Sequence, residues 1–126
     1  MYAATALKQY QSVNVQAQVF DTTPHRLIQM LMEGGLGRLA QARGAMERGQ
    51  VALKGELLGK AIAIIGGLRD GLDRQKGGEI AANLDGLYEY MEGRLLQANL
   101  KNDAALVDEV AGLLREIKSA WDAIAP

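Results

Sequence analysis

A chain of 126 residues, 48% apolar but only 5% aromatic, has the size of one domain and favours helix-on-helix packing by Leu, Ile, Ala and Met over an aromatic-rich sheet. Its net charge of -1 leaves no surplus of Lys and Arg to displace counterions, which argues against nucleic-acid binding. The absence of cysteine excludes disulfides and thiolate metal sites and makes a reducing cytoplasm the default expectation.

Residues 1–21 carry Leu7, Tyr10, Val13, Ala17 and Phe20 at helical spacing, but Gln, Ser and Asn dilute the pattern. They are expected to form a short, loosely held helix or mobile segment. They lack the basic region and apolar core of a Sec signal, and no apolar run in the chain approaches the ~20 residues of a membrane span. Neither export of this chain by Sec nor membrane insertion is expected.

The first long helix is predicted over residues 23–48, with Thr23 as cap, Pro24 at the first helical position and a stop near Gly49. Gly34, Gly35 and Gly37 interrupt its middle, each costing roughly 1 kcal/mol against Ala unless close packing compensates. Gly35-Leu36-Gly37-Arg38-Leu39-Ala40 formally matches a relaxed dinucleotide fingerprint, but it lies inside a helix with no preceding strand. A second helix over residues 51–75 carries an apolar arc wider than a surface helix usually buries, including Leu57, Leu58, Ile62, Ile64, Ile65 and Leu68.

Gly77 and Gly78 then break the chain, and Glu79 places negative charge at a new helix start. The third helix, residues 79–99, is about 30 Å long at ~1.5 Å per residue, with Ile80, Leu84, Leu87, Tyr88, Met91 and Leu95 along one face. A short link follows in which Asn102 is the expected cap, and residues 103–123 form the last helix, with a narrow apolar stripe ending at Trp121. The fold class read from this pattern is all-α: an elongated antiparallel four-helix bundle in a single domain, with an additional N-terminal element laid against it. Most of the 15 glycines fall inside the predicted helices, where missing side chains either are tolerated or leave grooves for another helix.

Catalytic chemistry finds little support. His25 is the single histidine, so Glu-x-x-His di-metal sites and His-based zinc sites are unavailable; no metal or cofactor is expected. No Gly-rich turn ends in Gly-Lys-Ser/Thr, which excludes a phosphate loop. A phosphotransfer bundle needs an exposed histidine in mid-helix, whereas His25 directly follows Thr23 and Pro24 and reads as a solvated or capping residue. Tyr90 projects off the main stripe, where a rigid, partly apolar ring suits contact with another chain.

The run Gly77-Gly78-Glu79-Ile80-Ala81-Ala82-Asn83-Leu84-Asp85-Gly86-Leu87-Tyr88-Glu89-Tyr90-Met91 closely resembles the flagellin-specific export chaperones of bacterial flagellar type III secretion. Thr23-Pro24-His25-Arg26-Leu27, Lys60-Ala61, Ile64-Ile65, Ala98-Asn99 and Trp121 extend the resemblance over nearly the whole chain. It implies a cytoplasmic chaperone without enzymatic activity. Such a protein binds the disordered C-terminal segment of flagellin, prevents premature polymerisation and assists presentation to the export gate. A flagellar regulator such as an anti-sigma factor is a further partner it suggests. The resemblance assigns client contact to Leu7, Tyr10, Ile62, Ile65, Asn83, Leu84, Leu87, Tyr88, Tyr90 and Met91. Leu7 and Tyr10 are expected to occupy a groove in the free protein and to leave it, or help to build it, when the client arrives. The family usually has larger or polar residues where this chain has Gly34, Gly35, Gly37, Gly66 and Gly67. The competing readings are a helical adaptor for another amphipathic peptide and, more remotely, a histidine phosphotransfer module.

Overall fold

The computed structural model describes residues 22–124. They form four helices and no strand: α1 (Pro24–Glu47), α2 (Val51–Asp70), α3 (Arg74–Lys101) and α4 (Ala104–Ala123). Links of two or three residues return each helix antiparallel to the last, and the four close into a ring in which α1 and α3 each touch both α2 and α4. The all-α bundle expected from the spacing is the fold observed. The expected N-terminal element lies outside the described residues.

Local chemistry sets the ends. Thr23 Oγ1 accepts from Arg26 N–H (3.1 Å), with Pro24 opening α1 as expected. Three boundaries differ from the sequence reading. The second helix stops at Asp70 instead of running to residue 75, because the Asp73 carboxylate accepts from the N–H groups of Gln75 (3.1 Å) and Lys76 (3.0 Å) and starts α3 early. The break expected at Gly77 and Gly78 is a kink within α3, where Gly78 takes φ 53° and ψ -126°, a region that L side chains avoid. Gly77 serves by close approach: a Cβ there would stand 2.7 Å from the Ala81 Cβ. Asp103, not Asn102, caps α4 through Ala105 N–H (3.0 Å), while Asn102 ends α3 in the left-handed conformation that asparagine tolerates.

The core runs along the bundle axis through Leu31, Met32 and Leu39 of α1, Leu58 and Ile65 of α2, Met91 and Leu95 of α3, and Val107, Val110 and Leu114 of α4, all at most 2% exposed. Gly35 belongs to this packing, since a Cβ would meet Leu114 at 3.2 Å and Ile64 at 3.4 Å, so its helix cost is offset by contact with α4 and α2. Nothing lies within 4 Å of a Cβ built at Gly37, Gly59, Gly86, Gly93 or Gly112, and those glycines face open space. The wide arc of α2 is mostly internal: Leu57, Leu58, Ile65 and Leu68 are buried, and Ile62 and Ile64 half-buried.

Polar groups tie the helices at their edges. Lys54, 6% exposed, donates to the Asn99 carbonyl (3.1 Å) and Asn102 Oδ1 (3.3 Å), placing a cation against the C-terminal carbonyls of α3. Arg69 of α2 reaches three carboxylates of α3: Asp85 (2.7 Å), Glu89 (2.7 Å) and Glu92 (3.2 Å). Asp85 also accepts from Arg74 (2.7 Å). The hydrogen bond from Arg69, strengthened by the charges of both arginines, outweighs desolvation and holds the Asp85 carboxyl below its ordinary value of 3.8.

Two outcomes test this account. Met91→Ala should lower unfolding free energy by about 2–5 kcal/mol in urea titrations, while Leu100→Ala, at an 86% exposed position, should stay within about 0.5 kcal/mol of the parent. Because the folded-state pKa of Asp85 is depressed, its contribution is present above pH 3.8 and lost as pH falls through the lower folded value. Urea midpoints measured from pH 7 down to 2.5 should therefore fall less steeply below pH 4 in Asp85→Asn than in the parent. Equal slopes would contradict the role given to Arg69.

Candidate functional site

One end of the bundle, where α1 and α3 begin and α2 and α4 finish, is not fully closed. An apolar groove of about 400 Å³ opens there, walled by Ile28 and Met32 of α1, Leu68 and Leu72 of α2, Ile80, Ala81, Leu84 and Tyr88 of α3, and Ile117 and Trp121 of α4. The early stop of α2 and the kink at Gly78 shape one lip. They set the turn of residues 74–77 out of line with the rest of α3, so Asp73, Lys76 and Gly77 border the opening and Ile80 stands 73% exposed beside it. An isoleucine this exposed next to half-buried Leu72, Leu84, Ile28 and Ile117 makes a continuous apolar surface facing water.

The opposite lip is held by a reciprocal pair. His25 Nε2 donates to the Trp121 carbonyl (2.8 Å), Trp121 Nε1 donates to the His25 carbonyl (3.0 Å), and the two rings stack at 4.7 Å with an 8° angle between planes. His25 is therefore half-buried against the single tryptophan of the chain, not the solvated or capping residue expected from its position. Beside it Gln29 Nε2 donates to Asp122 Oδ1 (2.7 Å) and Lys118 pairs with Asp122 (2.7 Å), the lysine hydrogen bond chiefly lowering the pKa of that carboxyl. These bonds fix the Trp121 ring as a rigid wall.

At the base of the groove Tyr88 is 3% exposed, and burial pushes its phenol up to about 12, so the hydroxyl stays protonated. The hydroxyl has no hydrogen-bond partner among the described residues.

The residues named from the sequence separate into groups. Leu84 and Tyr88 line the groove. Leu87 and Ile62 are half-buried and pack on the core outside it. Ile65 and Met91 are 0% exposed at the bundle centre, closed to any partner in this conformation, because both lie on the strip of their helix that points to the axis. Asn83 is exposed. Tyr90 is 45% exposed and donates to Glu109 of α4, which Arg94 also holds (2.9 Å) while its guanidinium lies 5.5 Å from the Tyr90 ring centre. Leu7 and Tyr10 lie outside the described residues. The sequence reading placed Ile80 and Trp121 on apolar stripes and missed that they flank an opening. The signal was present, since Ile80 stands two residues after the glycine pair.

A second apolar strip runs outside the groove. Ile62 shares an edge of α2 with Gly55, Gly59 and Gly66, and Cβ atoms at Gly55 and Gly66 would come within 4.0 Å of Asn99 and 3.5 Å of Glu92 on α3. Farther along α3, Leu96 and Leu100 are 55% and 86% exposed. Among the described residues no group of three or more His, Cys, Asp or Glu could hold a metal ion, and no helix is long and apolar enough to cross a membrane.

The family model described as flagellar protein FliS matches residues 6–126. The flagellar secretion chaperone FliSB of Pseudomonas aeruginosa is 65% identical over 124 residues, covering 98% of either chain. The FliS chaperone of Salmonella typhimurium is 53% identical over all of this chain and 94% of its own. That of Vibrio cholerae is 48% identical over 96% of this chain and 89% of its own. With a match spanning nearly its whole length, the chain belongs to the FliS family of flagellar secretion chaperones, and not to a family of enzymes.

Proposed function

We propose that this chain is a cytoplasmic chaperone for the C-terminal segment of flagellin, which it keeps from polymerising and delivers to the flagellar export gate. The observation that carries this reading is the apolar groove at the end of the bundle, half-open between a kinked lip at Gly78 and a rigid wall at Trp121. A disordered segment gains enough to order itself only by burying apolar side chains, and a groove lined by Ile, Leu, Met and Trp supplies that burial. The printed names of the relatives, flagellar secretion chaperones, support the same reading.

Within it, Leu84, Tyr88 and Ile80 contact the client in the groove, and Ile62, Leu87, Asn83 and Tyr90 contact it where it continues along the bundle surface. Ile65 and Met91 act by supporting these residues from beneath. Leu7 and Tyr10, which lie outside the described residues, contribute to client contact, either by giving up a groove to the client or by helping to build it. A flagellar regulator such as an anti-sigma factor would compete for the same surface. The phosphotransfer alternative is disfavoured, because the His25 ring is stacked on Trp121 and its Nε2 is engaged.

The test is titration of the full chain into the isolated C-terminal segment of flagellin, followed by calorimetry and circular dichroism. A one-to-one complex with negative heat-capacity change and a shift in Trp121 emission is expected. Ile80→Asp, which places a charge on the exposed lip, should weaken binding about tenfold or more. Deleting residues 1–12 should change the affinity. No binding at micromolar concentration would overturn the reading in favour of an adaptor for a different peptide.

A further inference from the structure

Tyr88 presents a polar atom at the base of the groove, among its apolar walls. Its ring is held at 3% exposure among aliphatic walls, and its hydroxyl bonds to no described residue. The other polar side chains at the groove lie on its rim, and the Asp73 carboxylate is already occupied by the N–H groups of Gln75 and Lys76. A buried hydroxyl left without a partner costs free energy, and phenylalanine would fill the same space without that cost. Nothing inside the described fold explains a tyrosine at this position.

We propose that the Tyr88 hydroxyl is the polar anchor of the groove, donating a hydrogen bond to a backbone carbonyl of an apolar client segment that lies extended at this point. This rests on the groove being the site for the flagellin C-terminal segment. The acceptor is a main-chain carbonyl because an apolar wall disfavours desolvating a carboxylate, whereas every residue of a peptide carries a neutral carbonyl. The segment is extended there because carbonyls within a helix are already bonded to their own N–H groups four residues on. The anchor also sets register: sliding the segment by one residue turns the next carbonyl to the opposite side.

The experiment compares Tyr88→Phe with the parent, as full chains, in free-state stability and in calorimetric affinity for the flagellin C-terminal segment, with Ile80→Asp in parallel. The expected result is a split: Tyr88→Phe unfolds at the same or a higher urea midpoint than the parent, yet binds the segment about tenfold more weakly, since the bound carbonyl loses its donor. A drop in free-state stability would overturn the proposal by showing that the hydroxyl has a partner within the fold. Unchanged affinity in Tyr88→Phe, with Ile80→Asp impaired, would overturn the anchor while leaving the groove as the client site. If the parent binds but Ile80→Asp and Tyr88→Phe both bind as tightly, the client lies elsewhere and the anchor fails with the groove. If the parent itself does not bind, the flagellin reading is overturned, and with it this deepening of it.

Discussion

The kink at Gly78 is the constraint on which the open end of this bundle depends. Four antiparallel helices with two- and three-residue links would ordinarily close both ends of their core with the last turns of each helix. Here Asp73 starts α3 early, Gly77 lets that first turn lie against Ala81, and Gly78 redirects the chain with a positive φ. The first turn is thereby displaced from the axis of α3. Apolar side chains that a straight helix would turn inward are left bordering an opening, with Ile80 the most exposed of them.

An opening of this kind is useful only if its walls keep their shape, and the two sides do so by different means. On the α1 and α4 side, His25 and Trp121 exchange hydrogen bonds with each other's backbone and stack their rings, so the tryptophan is fixed by directional contacts as well as by packing. On the α2 and α3 side, Arg69 spans three carboxylates, and Asp85 is shared with Arg74 from the displaced turn. These are partly exposed, solvent-screened ion pairs, weak one by one, and their value lies in holding the relative position of two helices through a network. At the far end Lys54 does comparable work by capping the carbonyls of α3 from the neighbouring helix.

This architecture separates a closely packed axis from apolar surface left open. The axis of the bundle is filled by side chains that are almost wholly buried, Ile65 and Met91 among them, and ion pairs such as Arg43 with Asp108 and Arg94 with Glu109 lie along the flanks. Apolar surface is left open at the end groove and along the strip formed by the glycine edge of α2 and the exposed leucines of α3. Residues of either kind share one amphipathic stripe in the sequence, which is why Leu84 at the groove and Met91 in the core were named together.

The sequence alone determined the helical class, the number of long helices and most of their ends, because apolar spacing, capping side chains and glycine stops act over a few residues and can be read locally. It also determined family membership, carried by the run around Tyr88. Only the tertiary structure decided which apolar residues are core and which are surface, since burial depends on what the other three helices place opposite each face. It alone put Trp121 against His25, 96 residues apart, and showed that Gly35 makes room for α4 while Gly37 faces open space. The groove itself is a tertiary property: it arises from the offset of one helical turn against three other helices, and no local pattern encodes that distance.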